Sequence, residues 1–317
     1  MNKPKINQDI LLVIGPLLQR LAWSDRQTKA EIQKYGVNLL PINFYSNIPS
    51  IEEIESSYEY SQEQPPYLVP TIFDERRFRE TLEQLCVYST EFDPPIDGDE
   101  ESCQDFFWGN GMFSYSDAMS YYCFIRHIQP ANIIEIGSGF STLVALQAVQ
   151  KNGFGTIHCI EPYPRKFLWE NDQIDLHALK AQDIDSDFLN SLLQDNDILF
   201  IDSTHTVKTG SDCLHIYLRL LPAVKRNIFV HVHDVFLPYG LPKEWLLDLQ
   251  RFWTEQYLLL AFLLDNPKTM PLYGSNYNAK WNTPLMEKWM GAKYPSGGGS
   301  FWFKYNGSIF IDTEVRE

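Results

Sequence analysis

Short apolar runs separated by stretches of helical period dominate the chain from Asn132 onward. Four of the runs, 132–136 (NIIEI), 156–160 (TIHCI), 197–201 (DILFI) and 227–231 (NIFVH), are apolar at consecutive positions and rich in β-branched residues. A strand covered on both faces reads this way, whereas a strand with one wet face alternates. Strands that alternate with helices predict a doubly wound, mostly parallel α/β sheet. A further strand is expected to lead into Ala181-Gln182-Asp183. The apolar face over 246–264 predicts one helix, and SGGGSFWF at 296–303 predicts a turn feeding a last strand.

Up to about residue 90 the pattern reads instead as helices joined by polar loops, with a Pro-containing connection at 63–67 (EQPPY) and no internal repeat. Residues 92–102 (FDPPIDGDEES) combine two prolines, a glycine and a cluster of acids. Such a composition has little to bury and reads as an exposed linker. The expected organisation is a helical N-terminal region with an acidic linker over residues 1–104, followed by a sheet domain over 105–317.

Charge narrows the partners. The 317 residues carry 26 Lys plus Arg against 41 Asp plus Glu, a formal net charge of −15. That field repels phosphate backbones and anionic lipid, so neither nucleic acid nor a membrane is an expected partner. No apolar run approaches the ~18 residues that would cross a bilayer. Residues 10–18 are apolar behind Lys3 and Lys5, but Gly15-Pro16 interrupts them, and 17–23 suits an amphipathic helix better than a secretion signal. Cys86, Cys103, Cys123, Cys159 and Cys213 are odd in number, widely spaced and free of any C-x-x-C pattern. This predicts no disulfide framework, no cysteine zinc site and a reducing, cytoplasmic setting. Aromatic residues make up 14% of the chain, enough either for an aromatic core or for walling an apolar or sugar-like pocket.

The first strand runs through NIIEIGSGFST into a loop with Gly137 and Gly139, and a helix begins near Ser141. Two glycines allow a tight turn and a close approach of backbone to a ligand, and the helix start presents free amides. A dinucleotide fingerprint would place a third glycine where Thr142 stands, and Glu135 just before the loop would repel a pyrophosphate. That carboxylate can instead accept hydrogen bonds from the amino-acid end of a cofactor. Glu161 ends the second strand about twenty residues after the glycines, where a carboxylate accepts bonds from ribose hydroxyls. The polar turn at Asp183 suits either an adenine edge or plain solvent.

These motifs, EIGSGFST at 135–142, IDSTH at 201–205 and HD at 233–234, resemble in their order those of class I S-adenosylmethionine-dependent methyltransferases. The closer resemblance is to a bacterial group with E-I-G-x-G-x-S-T, I-D-x-x-H and, after the fifth strand, H-D. It covers about residues 105–264. The resemblance implies a Rossmann-like fold and S-adenosyl-L-methionine as cofactor, bound through Glu135, Gly137, Ser138, Gly139, Ser141, Thr142, Glu161, Asp183 and Asp202. It also implies methyl transfer to a small-molecule acceptor.

Asp202, His205, His233 and Asp234 follow the fourth and fifth strands and so share the sheet edge where open α/β folds bind ligands. Methyl transfer is an in-line displacement that needs the acceptor held in place and, for a hydroxyl, a base. His205, His233 and Asp234 are the catalytic candidates, and either imidazole, with an ordinary value near ~6.5, suits the base. His231, deeper on the strand face it shares with His233, is expected to be structural. Asp202 and Asp234 are alternatively ligands for Mg2+, although the related metal-dependent enzymes show an acid followed by Asp or Asn where this chain has His233-Asp234. O-methylation leads among the functions. N-methylation, binding of S-adenosylmethionine without turnover, and a nicotinamide-dependent oxidoreductase are the rivals. The segments 105–122 and 236–245 flank these strand ends and suit either a cover over the ligands or plain surface.

Overall fold

The computed structural model describes residues 5–100, 105–113 and 115–309. The chain divides into two compact units between Tyr60 and Ser61. The N-terminal unit is helical, with α1 (Gln8–Ala22), α2 (Arg26–Gln33) and α3 (Ile51–Glu55), while α4 (Tyr58–Ser61) spans the division. Local chemistry starts these helices. Asn7 accepts from the Asp9 amide and Asp25 from the Thr28 amide, each at 2.9 Å, and Ser50 with Glu53 forms a reciprocal capping box. Helix α1 runs through Pro16 instead of breaking there.

The division lies well before the 104/105 boundary suggested by the acidic linker. Helix α5 (Glu75–Ser89) belongs to the larger unit and buries Leu82 and Leu85 in its core. Phe92 opens the linker sequence yet is buried there too, stacked on Tyr122 at 4.5 Å. Two prolines and a run of acids hid an aromatic anchor in the segment; residues 95–100 are exposed, as expected, and 101–104 lie outside the described residues.

Seven strands form the sheet: β1 (Asn132–Ile136), β2 (Thr156–Ile160), β3 (Asp175–His177), β4 (Ile198–Ile201), β5 (Asn227–Val232), β6 (Thr269–Gly274) and β7 (Phe301–Asn306), in the order β3-β2-β1-β4-β5-β7-β6. β1 to β5 are parallel, and β7 is antiparallel to both of its neighbours. The four apolar runs are strands within a residue of their predicted ends, while the strand expected before Ala181 ends at His177 and the last strand runs over 301–306. β6 (TMPLYG) was not read from the sequence, because Pro271 punctuates it and the register shifts between Pro271 and Tyr273.

Both faces of the sheet are covered, which is why the central strands carry apolar residues at consecutive positions. In β4, Ile198 and Phe200 join one core while Leu199 and Ile201 join the other, and all four are fully buried. The first core packs under α5, α6 (Tyr115–Ile128) and α7 (Phe140–Asn152). The second gathers buried residues of α9 (Ser186–Leu192) and of the irregular helix that runs from α10 (Asp212–His215) through a π turn to α11 (Leu221–Ala223). The short α8 (Lys166–Trp169) follows β2. The helix expected over 246–264 is two: α12 (Lys243–Leu247) and α13 (Glu255–Leu263). Gln250 takes a left-handed φ of 53°, and the Arg251 amide returns to Trp245 O at 2.9 Å, so the chain turns back where periodicity predicted a continuous face. Helices α14 (Ser275–Trp281) and α15 (Thr283–Trp289) lie between β6 and β7. No helix among the described residues is long and apolar enough to cross a membrane.

Candidate active site

A cavity of about 780 Å³ opens at the carboxyl ends of the parallel strands. Its first wall is the loop from β1 to α7. Gly137 has φ +89° and donates its amide to Ile160 O at 3.0 Å, threading between the ends of β2 and β4; a Cβ there would fall 1.7 Å from Asp202 O. Only glycine satisfies both demands. Gly139 precedes α7, whose first amides have no side-chain cap, and a Cβ on it would meet nothing within 4 Å. The Ser138 hydroxyl is buried with no partner, as is that of Ser203 across the cavity. Glu161, after β2, accepts from the Ser138 amide at 3.3 Å and the Tyr163 amide at 2.7 Å and faces the same space. Unspent amides and hydroxyls beside a carboxylate fit an amino acid joined to a nucleoside.

Of the residues expected to bind the cofactor, Gly137, Ser138, Gly139, Ser141, Glu161 and Asp202 line this cavity. Glu135, Thr142 and Asp183 do not. Glu135 is fully buried beneath the loop and accepts from Tyr121 Oη at 2.9 Å and Thr142 Oγ1 at 2.5 Å. It ties β1 to α6 and α7, and burial pushes its carboxyl up to about 7 despite those two donors. Asp183 is exposed and accepts from the Lys180 amide at 3.3 Å. Sequence placed all three next to the right elements, but which way a side chain leaves a strand end is a tertiary matter.

The opposite wall holds the charged cluster. His205 Nδ1 lies 2.8 Å from Glu255 Oε2, and its Nε2 lies 3.1 Å from Asp202 Oδ1 and 3.5 Å from Asp234 Oδ2. His233 Nδ1 is 3.3 Å from Asp202 Oδ1, and its Nε2 is 3.5 Å from Asp117 Oδ2. Burial opposes a charge on either ring, but the carboxylates outweigh it: Asp202 and Glu255 raise His205 to about 10, and Asp234 with Asp202 and Asp117 raises His233 well above its ordinary value. Burial likewise opposes the charge of Asp202, and His233 and His205 nevertheless hold its carboxyl below the usual range. Asp234 is shifted the other way, raised by burial and by Asp202 and Asp117 against the pull of the two imidazoles. Neither histidine therefore has the unperturbed value on which the base assignment rested; near neutral pH both hold their protons. His231 is fully buried, bonded to Ser300 Oγ at 2.9 Å and stacked on Trp302, and burial keeps it neutral.

Sequence reasoning named Asp117 only as part of a segment that suits either a cover or plain surface, and missed Glu255. Asp117 accepts from the amides of Gly299 and Ser300 at 3.0 and 2.9 Å, fastening α6 to the 297–300 turn, which closes one side of the cavity. Glu255 holds His205 from behind, with Tyr217 Oη donating to it at 2.9 Å. Neither sits in a recognisable motif. Phe236 and Trp245, from the segment 236–245, and Met112, Phe113, Tyr115 and Asp117, from 105–122, line the cavity, so both segments border the site.

A parallel sheet with a glycine loop after β1, an acid after β2 and a polar cluster after β4 and β5 defines an α/β protein with a ligand-sized cavity at the sheet edge where such folds bind ligands. Residues 134–235 match the family described as Methyltransferase domain. The chain is similar to an uncharacterized protein of Archaeoglobus fulgidus, 31% identical over 160 residues that cover 48% of this chain and 72% of that one. Among solved structures it is similar to a putative O-methyltransferase from Klebsiella pneumoniae (12% identity, TM-score 0.37, 71% of this chain and 89% of that one). It is also similar to the O-methyltransferase from Bacillus cereus in complex with SAH (13%, 0.38, 71% and 90%). The chain belongs to the class I S-adenosylmethionine-dependent methyltransferases. It is an enzyme.

Proposed function

We propose that the enzyme methylates a hydroxyl oxygen of a small-molecule acceptor seated over Asp202, His205, His233 and Asp234. The observation that carries this reading is the gathering of Asp202, His205, His233 and Asp234 on one cavity wall, with imidazole nitrogens 3.1 to 3.7 Å from the two carboxylates. The cofactor, when bound, supplies a sulfonium-linked methyl group. Gly137, Ser138, Gly139, Ser141 and Glu161 would hold it on the β1 and β2 side. On the β4 and β5 side, Asp234 Oδ2 accepts the acceptor's proton, a role that falls to it because both rings are already protonated. His205 and His233 balance the charge of Asp202 and Asp234 and keep the pair ionised inside the cavity. Wall residues that exclude water strengthen each of these interactions.

Replacing Asp234 by Asn should lower turnover of a hydroxyl acceptor by ~10²–10⁴ while leaving affinity for S-adenosylhomocysteine intact. Full turnover in that variant would sink the base assignment, and retained turnover on amine acceptors alone would favour N-methylation.

A divalent cation is the second reading, because Asp202, His233 and Asp234 offer ligand atoms within 4.8 Å of one another. The two carboxylates suit Mg2+, whereas the imidazole shifts the preference toward Mn2+ or Zn2+. Binding would require His233 to release its proton. Activity that survives exhaustive chelation removes this reading. The four described cysteines are free thiols, which supports a reducing, cytoplasmic setting.

A further inference from the structure

The cavity wall beyond β5 differs in charge from the rest of the lining. Four carboxylates, Asp117, Glu161, Asp202 and Asp234, face the cavity, and the two imidazoles among them are engaged with Asp117, Asp202 and Asp234. Arg165, on the β2 side, lies over the Phe140 ring at 5.0 Å. Arg251 stands apart. Its guanidinium carbon is 4.9 Å from the ring centroid of Trp245 and 5.2 Å from that of Trp253. The arginine ion pairs among the described residues are those of Arg76, Arg77, Arg79 and Arg126, so no carboxylate neutralises Arg251.

The setting is built. The two indoles meet edge to face at 5.3 Å, Trp245 packs edge-on to Phe236 at 5.0 Å, and Trp253 lies 4.5 Å from the His205 ring. All of these residues line the cavity. The segment around Trp253 is anchored to the loop after β4, where the Thr254 amide donates to His205 O at 2.8 Å and Thr254 Oγ1 accepts from the Val207 amide at 2.8 Å. A guanidinium that rests against ring faces keeps its N–H donors free for a ligand, and its planar fork matches an oxyanion.

We propose that Trp245, Arg251 and Trp253 form an acceptor subsite for a ring-bearing anion. A carboxylate or phosphate pairs with Arg251 while a flat ring or sugar lies against an indole, presenting its hydroxyl toward Asp234. In a chain of net charge −15, Arg251 supplies a cavity-lining cation without a carboxylate partner, with which an anionic acceptor can pair. This inference rests on hydroxyl transfer at the Asp202–Asp234 cluster.

The test uses the full chain saturated with S-adenosylhomocysteine, titrated by calorimetry with 4-hydroxybenzoate, 4-hydroxyphenyl phosphate and the uncharged 4-hydroxybenzamide. Tryptophan fluorescence reports occupancy of the indoles. At least one charged probe should bind at least about tenfold more tightly than the amide, and the tighter of the two identifies carboxylate or phosphate as the source. Arg251→Gln should weaken that probe about tenfold to a hundredfold, the loss of a charge-assisted pair, with Arg251→Lys intermediate and S-adenosylhomocysteine affinity unchanged in both. Unchanged cofactor affinity shows that the variants fold. Equal binding of charged and uncharged probes, no binding of either charged probe at millimolar concentration, or full affinity in Arg251→Gln would overturn the proposal. The underlying reading fails separately, through turnover in Asp234→Asn.

Discussion

Gly137 and Gly139 are two residues apart in one loop, and the structure assigns them opposite sensitivities. Placing Ala at 137 imposes a φ of +89° on a residue with a Cβ, at about 1 kcal/mol. The new methyl would also fall 1.7 Å from Asp202 O and 2.7 Å from the carbonyl carbon, both backbone atoms that cannot swing aside. The β1 and β4 ends would have to part, and overpacking of this kind costs about 1–3 kcal/mol. Together these predict a loss of about 2–4 kcal/mol for Gly137→Ala, or about 4–16 °C in thermal midpoint for a domain of this size. Gly139→Ala meets no atom within 4 Å, so its stability should stay within about 0.5 kcal/mol of the parent. Its methyl occupies the cavity floor, however, and affinity for S-adenosylhomocysteine should fall. Thermal melts with and without S-adenosylhomocysteine, paired with calorimetry, read both effects. A Gly137→Ala protein that melts like the parent, or a Gly139→Ala protein that melts lower yet binds the cofactor product fully, would refute the geometric argument.

Glu161→Ala should cost about 1.5–3 kcal/mol of cofactor affinity through lost charge-assisted bonds, and unchanged affinity would remove Glu161 from the site. His205 is raised in the folded state from 6.5 to about 10, so its contribution to stability is fully present below pH 6.5 and is lost as pH rises through about 10. The thermal midpoint should therefore fall across that window, and fall less steeply in His205→Gln; parallel curves for the two proteins would contradict the placement of His205 among carboxylates.

The glycine-loop side of the cavity was legible in the chain because it is local. The turn after β1 needs glycine where the backbone passes between two strand ends, and the acid of Glu161 follows β2 directly, so each leaves its mark within a few residues. Strand identity was legible for a related reason: a strand covered on both faces is apolar at consecutive positions and lacks the alternation of a half-wet one. The N-terminal boundary was not, since Phe92 is a single aromatic anchor among prolines and acids, and only the packing against Tyr122 shows where it goes. Glu135 illustrates the limit within a motif. Its position before the glycines was clear, but its carboxylate turns beneath the loop to meet Tyr121 and Thr142, a choice made by the helices above it. The surroundings of the two imidazoles were a matter of tertiary structure alone. An imidazole's affinity for protons depends on what surrounds it, and the carboxylates that raise His205 and His233 arrive from α6, from α13 and from the ends of β4 and β5, residues up to 116 positions apart in the sequence from His233 to Asp117. Arg251 and its two indoles follow the same rule. They become a site because the chain turns back at Gln250, where periodicity alone predicted one unbroken helix.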